Sequence, residues 1–126
     1  MKPYFAQQAI QFAHRSKSKF RLGAVVVRGG RIIGTGVNQM GKTHPLMNRY
    51  RLNPGWSPGL HAEVCACLGI SLATLEGASI YVARIRRDGS LALAEPCLIC
   101  KRFLAGVGIA TTYWSNNDGT WTKLAE

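Results

Sequence analysis

The spacing of apolar positions changes several times along the chain, and each change marks an element. Residues 2–16 place Phe5, Ala9, Phe12 and Ala13 three or four apart, with Ile10 adjacent, which is one face of a helix. The polar run Ser16-Lys17-Ser18-Lys19 ends it. Two apolar, β-branched runs follow, 22–27 and 31–37, and Arg28-Gly29-Gly30 between them reads as a hairpin turn. Residues 39–60 have no clean period and carry Pro45, Pro54, Pro58 and three glycines. So long an irregular segment inside a compact domain is usually functional or disordered. Because it runs directly into His61, it is expected to lie over a site that opens there. Helical spacing returns over 61–74, a strand is expected over 78–85, and Arg86-Arg87-Asp88-Gly89-Ser90 forms a turn. Residues 91–94 suit a short extra strand, 97–105 a third helix and 109–114 a strand. Asn116-Asn117-Asp118-Gly119 turns the chain into a last strand over 120–124. The order is α-β-β-α-β-α-β-β, read as one domain over 1–126, without repeats or low-complexity tracts.

Composition narrows the class. With 126 residues and 47% hydrophobic content the chain can build a real core. It holds no run of about 18 apolar residues, the length a membrane span needs, so no membrane association is expected. Met1-Lys2-Pro3-Tyr4-Phe5 lacks the apolar core of a signal peptide, and four cysteines without a leader favour metal use in a reducing, cytoplasmic compartment over a disulfide scaffold. Sixteen basic residues against six acidic give a net charge of +10. The basic residues cluster: Arg15 to Arg21, Lys42 to Arg51, Arg84 to Arg87, and Lys101-Arg102. Such clusters suit a phosphorylated partner, a nucleotide or a nucleic acid, although solvated surface charge accounts for them equally well.

Two short segments carry chemistry. His61-Ala62-Glu63 is followed, thirty-three residues after Glu63, by Pro96-Cys97-Leu98-Ile99-Cys100. Together they offer one imidazole, two thiolates and a carboxylate that need not be a ligand. Three protein ligands leave a tetrahedral Zn²⁺ with an open fourth position, which distinguishes a catalytic zinc from a structural one. Cys97 and Cys100 are i and i+3, neighbours on one helix turn, and Pro96 fits a helix start. Both ligand sets are therefore expected at helix N-termini, where the dipole favours thiolates and an anionic water. A structural four-thiolate site would need Cys65 and Cys67 with Cys97 and Cys100. However, i, i+2 side chains on a helix diverge by about 200°, so Cys65 and Cys67 are expected to be small core residues. A redox pair would want a strand directly before it, where Ala94-Glu95-Pro96 stands instead.

H-x-E followed by P-C-x-x-C resembles the zinc-dependent nucleoside, nucleotide and nucleobase deaminases. The element order matches over essentially the whole chain. The resemblance implies the cytidine-deaminase-like fold: a three-layer α/β/α sandwich around a mixed five-stranded sheet of order 2-1-3-4-5, here without an obvious long final helix. It implies His61, Cys97 and Cys100 as Zn²⁺ ligands and Glu63 as the group that takes a proton from water and returns protons to the ring nitrogen and the departing amine. The backbones of Ala62 and Cys97 would hold the base edge. Asn38, closing Gly34-Thr35-Gly36-Val37-Asn38, resembles the family's G-x-N element that contacts sugar or base, although Asn is also common at turns.

Thr43-His44-Pro45 and the insert between Ile85 and Pro96 are similar to those of small, often phage-encoded deaminases of the CMP/dCMP type. Lys42, Arg49 and Arg51 are candidates for a 5′-phosphate and His44 for phosphate or base, with loop solvation or a structural role as the plain alternatives. Tyr50 and Trp56 are candidates for base stacking or for packing the loop down. The expected function is hydrolytic deamination of a cytosine nucleoside or nucleotide (dCMP, CMP or deoxycytidine), since a stiff capping loop excludes polymer. The alternative, favoured by the charge, is a polynucleotide deaminase acting on tRNA adenosine or single-stranded DNA. A binding relative that keeps zinc without turnover would have no need of Glu63. A homo-oligomer is expected from the family habit.

Overall fold

A computed structural model describes residues 1–39 and 59–125. Helix α1 (Pro3–Arg15) precedes the hairpin of β1 (Arg21–Arg28) and β2 (Arg31–Val37). Two short helices follow, α2 (Ala62–Cys67) and α3 (Leu72–Leu75). Then come β3 (Ser79–Ile85), β4 (Leu91–Ala92), α4 (Leu98–Gly106), β5 (Thr111–Ser115) and β6 (Trp121–Ala125). The sheet runs β2-β1-β3-β5-β6, with β4 paired to the end of β3. Leaving out that short extra strand, this is the expected order 2-1-3-4-5. β3 and β5 are parallel and every other pair is antiparallel.

The central strands read as near-continuous apolar runs because both of their faces are covered. Ala24, Val26, Ile80 and Val82 face one core, shared with α2 and α4. Val25, Val27, Tyr81 and Ala83 face the other, against Phe5, Ala6 and Ala9 of α1. Register makes the alternation coherent: Val25 lies opposite Tyr81 and Val26 opposite Ile80.

The helix expected over 61–74 is two helices. Gly69 sits at φ 78°, a left-handed conformation that residues with a Cβ rarely adopt, and it stops α2. Ser71 then caps α3, its Oγ accepting the Thr74 N–H at 3.2 Å. The break keeps α2 short and lets it lie flat on β2. There it is placed by absent side chains: a Cβ on Gly36 would stand 2.4 Å from the Ala66 nitrogen and 2.6 Å from the Ala62 oxygen, and one on Gly34 2.1 Å from the Ala66 oxygen. Helix and strand backbones touch directly, which fixes the position of His61 and Glu63.

Candidate active site

Each chemical segment enters its helix through an extended cap residue. His61 caps α2 at φ −79°, ψ 151°, and Cys97 caps α4 at φ −66°, ψ 169°. The backbone N–H of Cys65 donates to the His61 carbonyl at 2.9 Å, and that of Lys101 to the Cys97 carbonyl at 2.8 Å. Both segments do sit at helix N-termini, with Cys97 just outside α4, so Pro96 precedes the cap and does not begin the helix. The chain is carried to Cys97 by β4 and by the Ala94 N–H, which donates to the Ser115 carbonyl at 2.9 Å.

His61 Nδ1 lies 3.2 Å from Cys100 Sγ and 3.5 Å from Cys97 Sγ. One donor atom from each of the three residues falls within 4.8 Å of the other two. Tetrahedral zinc, with ordinary Zn–N and Zn–S bonds, puts nitrogen and sulfur about 3.6 Å apart and two sulfurs about 3.8 Å apart. The donor set therefore fits in chemistry and size, with Nδ1 as the imidazole donor. Cys65 and Cys67 take no part: Cys65 is half-buried, accepts Gln39 Nε2 at 3.7 Å and packs against the core, while Cys67 is buried within it.

The electrostatics of the trio suit a cation. A hydrogen bond from Cys100, aided by one from His61 and opposed by burial, brings the Cys97 thiol down to about 4. Cys100 is pushed the other way, first by that same hydrogen bond and then by burial. The two sulfurs thus share a proton, with the thiolate on Cys97, and a coordinated metal would displace that proton. His61 is raised, first by its hydrogen bond to Cys97. Glu63 is only 3% exposed, and burial raises its carboxyl above the usual range against the opposing pull of His61. Burial also lifts Cys67 to about 12, making it inert at neutral pH.

A cleft of about 190 Å³ opens on His61 and Cys97, lined also by Ala62, Glu63, Phe20, Leu22, Asn38 and Glu95. Asn38 borders it, but its amide is largely engaged. Oδ1 accepts Ser16 Oγ at 2.6 Å and the Leu22 N–H at 3.0 Å, and Nδ2 donates to the Phe20 carbonyl at 2.5 Å. Asn38 therefore ties the α1–β1 connection to the end of β2, leaving one Nδ2 hydrogen toward a ligand. Glu95 pairs with Lys101 at 2.5 Å. The sequence reading missed Phe20, Leu22 and Glu95. Their signal was strand register and chain reversal, which no local spacing encodes. Lys42, His44, Arg49 and Arg51, with Tyr50 and Trp56, lie outside the described residues, as does the loop expected over the site.

Comparison with known proteins agrees with this geometry. Residues 1–116 match the family described as the cytidine and deoxycytidylate deaminase zinc-binding region. A deoxycytidylate deaminase of Mycobacterium phage D29 is 30% identical over 121 residues, covering 84% of this chain and 87% of that protein. The fold is similar to dCMP deaminase of cyanophage S-TIM5 in its apo form (24% identity, TM-score 0.64, 93% of this chain and 86% of that one). The same cyanophage protein is also known in complex with dCMP and dUMP, at 22% identity, TM-score 0.61 and coverage of 93% and 85%. Cytidine deaminase from Mycobacterium leprae shares the fold at 21% identity and TM-score 0.55, over 96% of this chain and 91% of that one. With a family match over residues 1–116 and a donor trio that could hold zinc, the chain belongs to the cytidine and deoxycytidylate deaminase family of zinc-dependent hydrolases.

Proposed function

We propose that the chain hydrolytically deaminates a free cytosine nucleotide or nucleoside (dCMP, CMP or deoxycytidine) and releases ammonia. The observation that carries this reading is a buried carboxylate, Glu63, lining the same cleft as two members of a three-donor metal site. The phage relative named for deoxycytidylate and the cyanophage complex with dCMP and dUMP support it, because those two nucleotides differ by the exchange of an amine for a carbonyl oxygen. His61 Nδ1, Cys97 Sγ and Cys100 Sγ are the atoms that would hold the zinc. When bound, the metal supplies the Lewis acidity that makes water a nucleophile near neutral pH.

The remaining work falls to Glu63. Its carboxylate takes one proton from the attacking water and delivers it to the ring nitrogen, then takes the second from the hydroxyl on the tetrahedral carbon and passes it to the departing amine. A carbon–oxygen bond forms, the carbon–nitrogen bond breaks, and ammonia leaves. The raised pKa of Glu63 suits a group that must accept and return protons in one turnover. Ala62 and Cys97 line the same cleft, and their backbones would hold the base edge. A polynucleotide substrate is the second reading, favoured by the net charge of +10.

Glu63→Ala tests the assignment. It should fold, retain one zinc per chain by elemental analysis, and lose deamination by about 10⁴-fold or more, at or beyond the upper end for proton transfer by a positioned group. Loss of zinc or of the fold would make Glu63 structural or a metal ligand. Ammonia release from nucleosides, mononucleotides, single-stranded DNA and tRNA separates the two readings.

A further inference from the structure

Phe20 stands between two hollows. It lines both the catalytic cleft and a second recess of about 280 Å³ formed with Lys19, Arg84, Ile85, Arg86 and Arg87. Phe20 is 52% exposed. Arg84 Cζ lies 4.6 Å and Lys19 Nζ 5.6 Å from the ring centroid. Strand register explains why these cations adjoin the cleft. Arg84 of β3 is paired with Leu22 of β1. Leu22 lines the cleft, and residues directly opposite in a ladder project to the same face. Arg84 and Leu22 thus emerge side by side.

The charge of the recess is poorly compensated. Arg86 is committed to structure, donating to Ser90 Oγ, the Leu91 carbonyl and Asn117 Oδ1. Asp88, the acid of the same hairpin, accepts the N–H and hydroxyl of Ser90 through one oxygen. Glu95 at the cleft rim is paired with Lys101, the one ion pair among the described residues. Lys19, Arg84 and Arg87 are left without an ion-paired carboxylate among those residues. A guanidinium stacked over a ring keeps its N–H edge free for a bidentate oxyanion, which is how arginine takes phosphate.

We propose that Lys19, Arg84 and Arg87, gathered around Phe20, form a phosphate subsite contiguous with the catalytic cleft. Its ligand is the phosphate attached to the nucleotide whose base enters that cleft, carried as a monoester or as a phosphodiester. The inference rests on the reading of the cleft as a nucleotide site. It assigns to the β3–β4 hairpin a role in choosing phosphorylated over unphosphorylated substrate.

The test compares kcat/KM for dCMP, deoxycytidine and a short cytosine-containing single strand on the zinc-loaded protein. Three forms are measured: wild type, Arg84→Gln, and the exposed pair Lys19→Gln with Arg87→Gln. The preference for phosphorylated substrate over deoxycytidine should fall about tenfold or more in both variants, the scale of a lost charge-assisted hydrogen bond. A fall seen with dCMP identifies a monoester, and one seen only with the oligonucleotide identifies a phosphodiester. An unchanged preference for both overturns the proposal. Arg84→Lys, which keeps the charge and loses the fork, should retain part of the preference. If no cytosine substrate turns over, titration with inorganic phosphate decides instead. Amide shifts at Lys19, Phe20 and Arg84 in wild type, absent in Arg84→Gln, uphold the subsite while the deaminase reading falls. No shifts at millimolar phosphate overturn the subsite as well.

Discussion

Three residues apart in sequence, Cys97 and Cys100 are held in opposite protonation states. Cys97, at about 4, is a thiolate through the whole neutral range, and Cys67, at about 12, remains a thiol. Only the thiolate attacks an alkylating reagent. In metal-free protein, alkylation of Cys97 should therefore be rapid and nearly flat from pH 6 to 9. Cys67 at pH 7 holds thiolate at a fraction on the order of 10⁻⁵ and should stay unmodified, its slow rate rising about tenfold per pH unit. Zinc should protect Cys97. Peptide mass spectrometry across a pH series reads all three outcomes, and a Cys97 rate that climbs with pH to a plateau near 9 would contradict the assigned thiolate. The candidate donor trio and Glu63 were legible in the sequence because each segment spans at most five residues and one helix cap, where spacing is geometry. Asn38 was legible as a residue but not in its hydrogen bonding, since its partners Ser16, Phe20 and Leu22 come from a connection that only the folded hairpin brings near.

Among the elements, α2 depends most on a neighbour's composition. It carries His61 at its cap and Glu63 in its first turn, and it rests on β2 where Gly34 and Gly36 expose bare backbone. Gly36→Ala should push the helix off the strand. Inserting one methyl group into a packed contact costs about 1–3 kcal/mol, and the displaced His61 and Glu63 should weaken zinc binding and turnover together. Thermal melting with competitive zinc titration measures both, and full retention of zinc affinity would show that α2 is placed by something else. The sequence signalled most elements through period alone. It hid the division of 61–74 because the apolar positions stay in helical phase across the break, while the stop and restart signals, Gly69 and Ser71-x-x-Thr74, act on backbone conformation and not on hydrophobic pattern. The β3–β4 hairpin was visible as a turn; its place beside the cleft required the Leu22–Arg84 register.

Across the molecule, two cores divide the sheet between them. The strand order expected from the family resemblance and the observed one agree. The described residues contain no helix long and apolar enough to cross a membrane. Part of the large positive charge collects around Phe20, next to the cleft.

The donor trio also joins regions that the chain brings together from a distance. His61 caps a helix seated on the β1–β2 hairpin, whereas Cys97 and Cys100 lie in the connection between the parallel strands β3 and β5. A parallel pair cannot close through a tight turn and must wait for its crossover to be laid down. Zinc would then join a local hairpin unit to one closed through a long crossover, and it should act chiefly on the rate of coming apart. A chelator added to folded protein should accelerate unfolding in denaturant while changing the refolding rate little; an equal effect on both limbs would mean that the three donors already meet in the transition state.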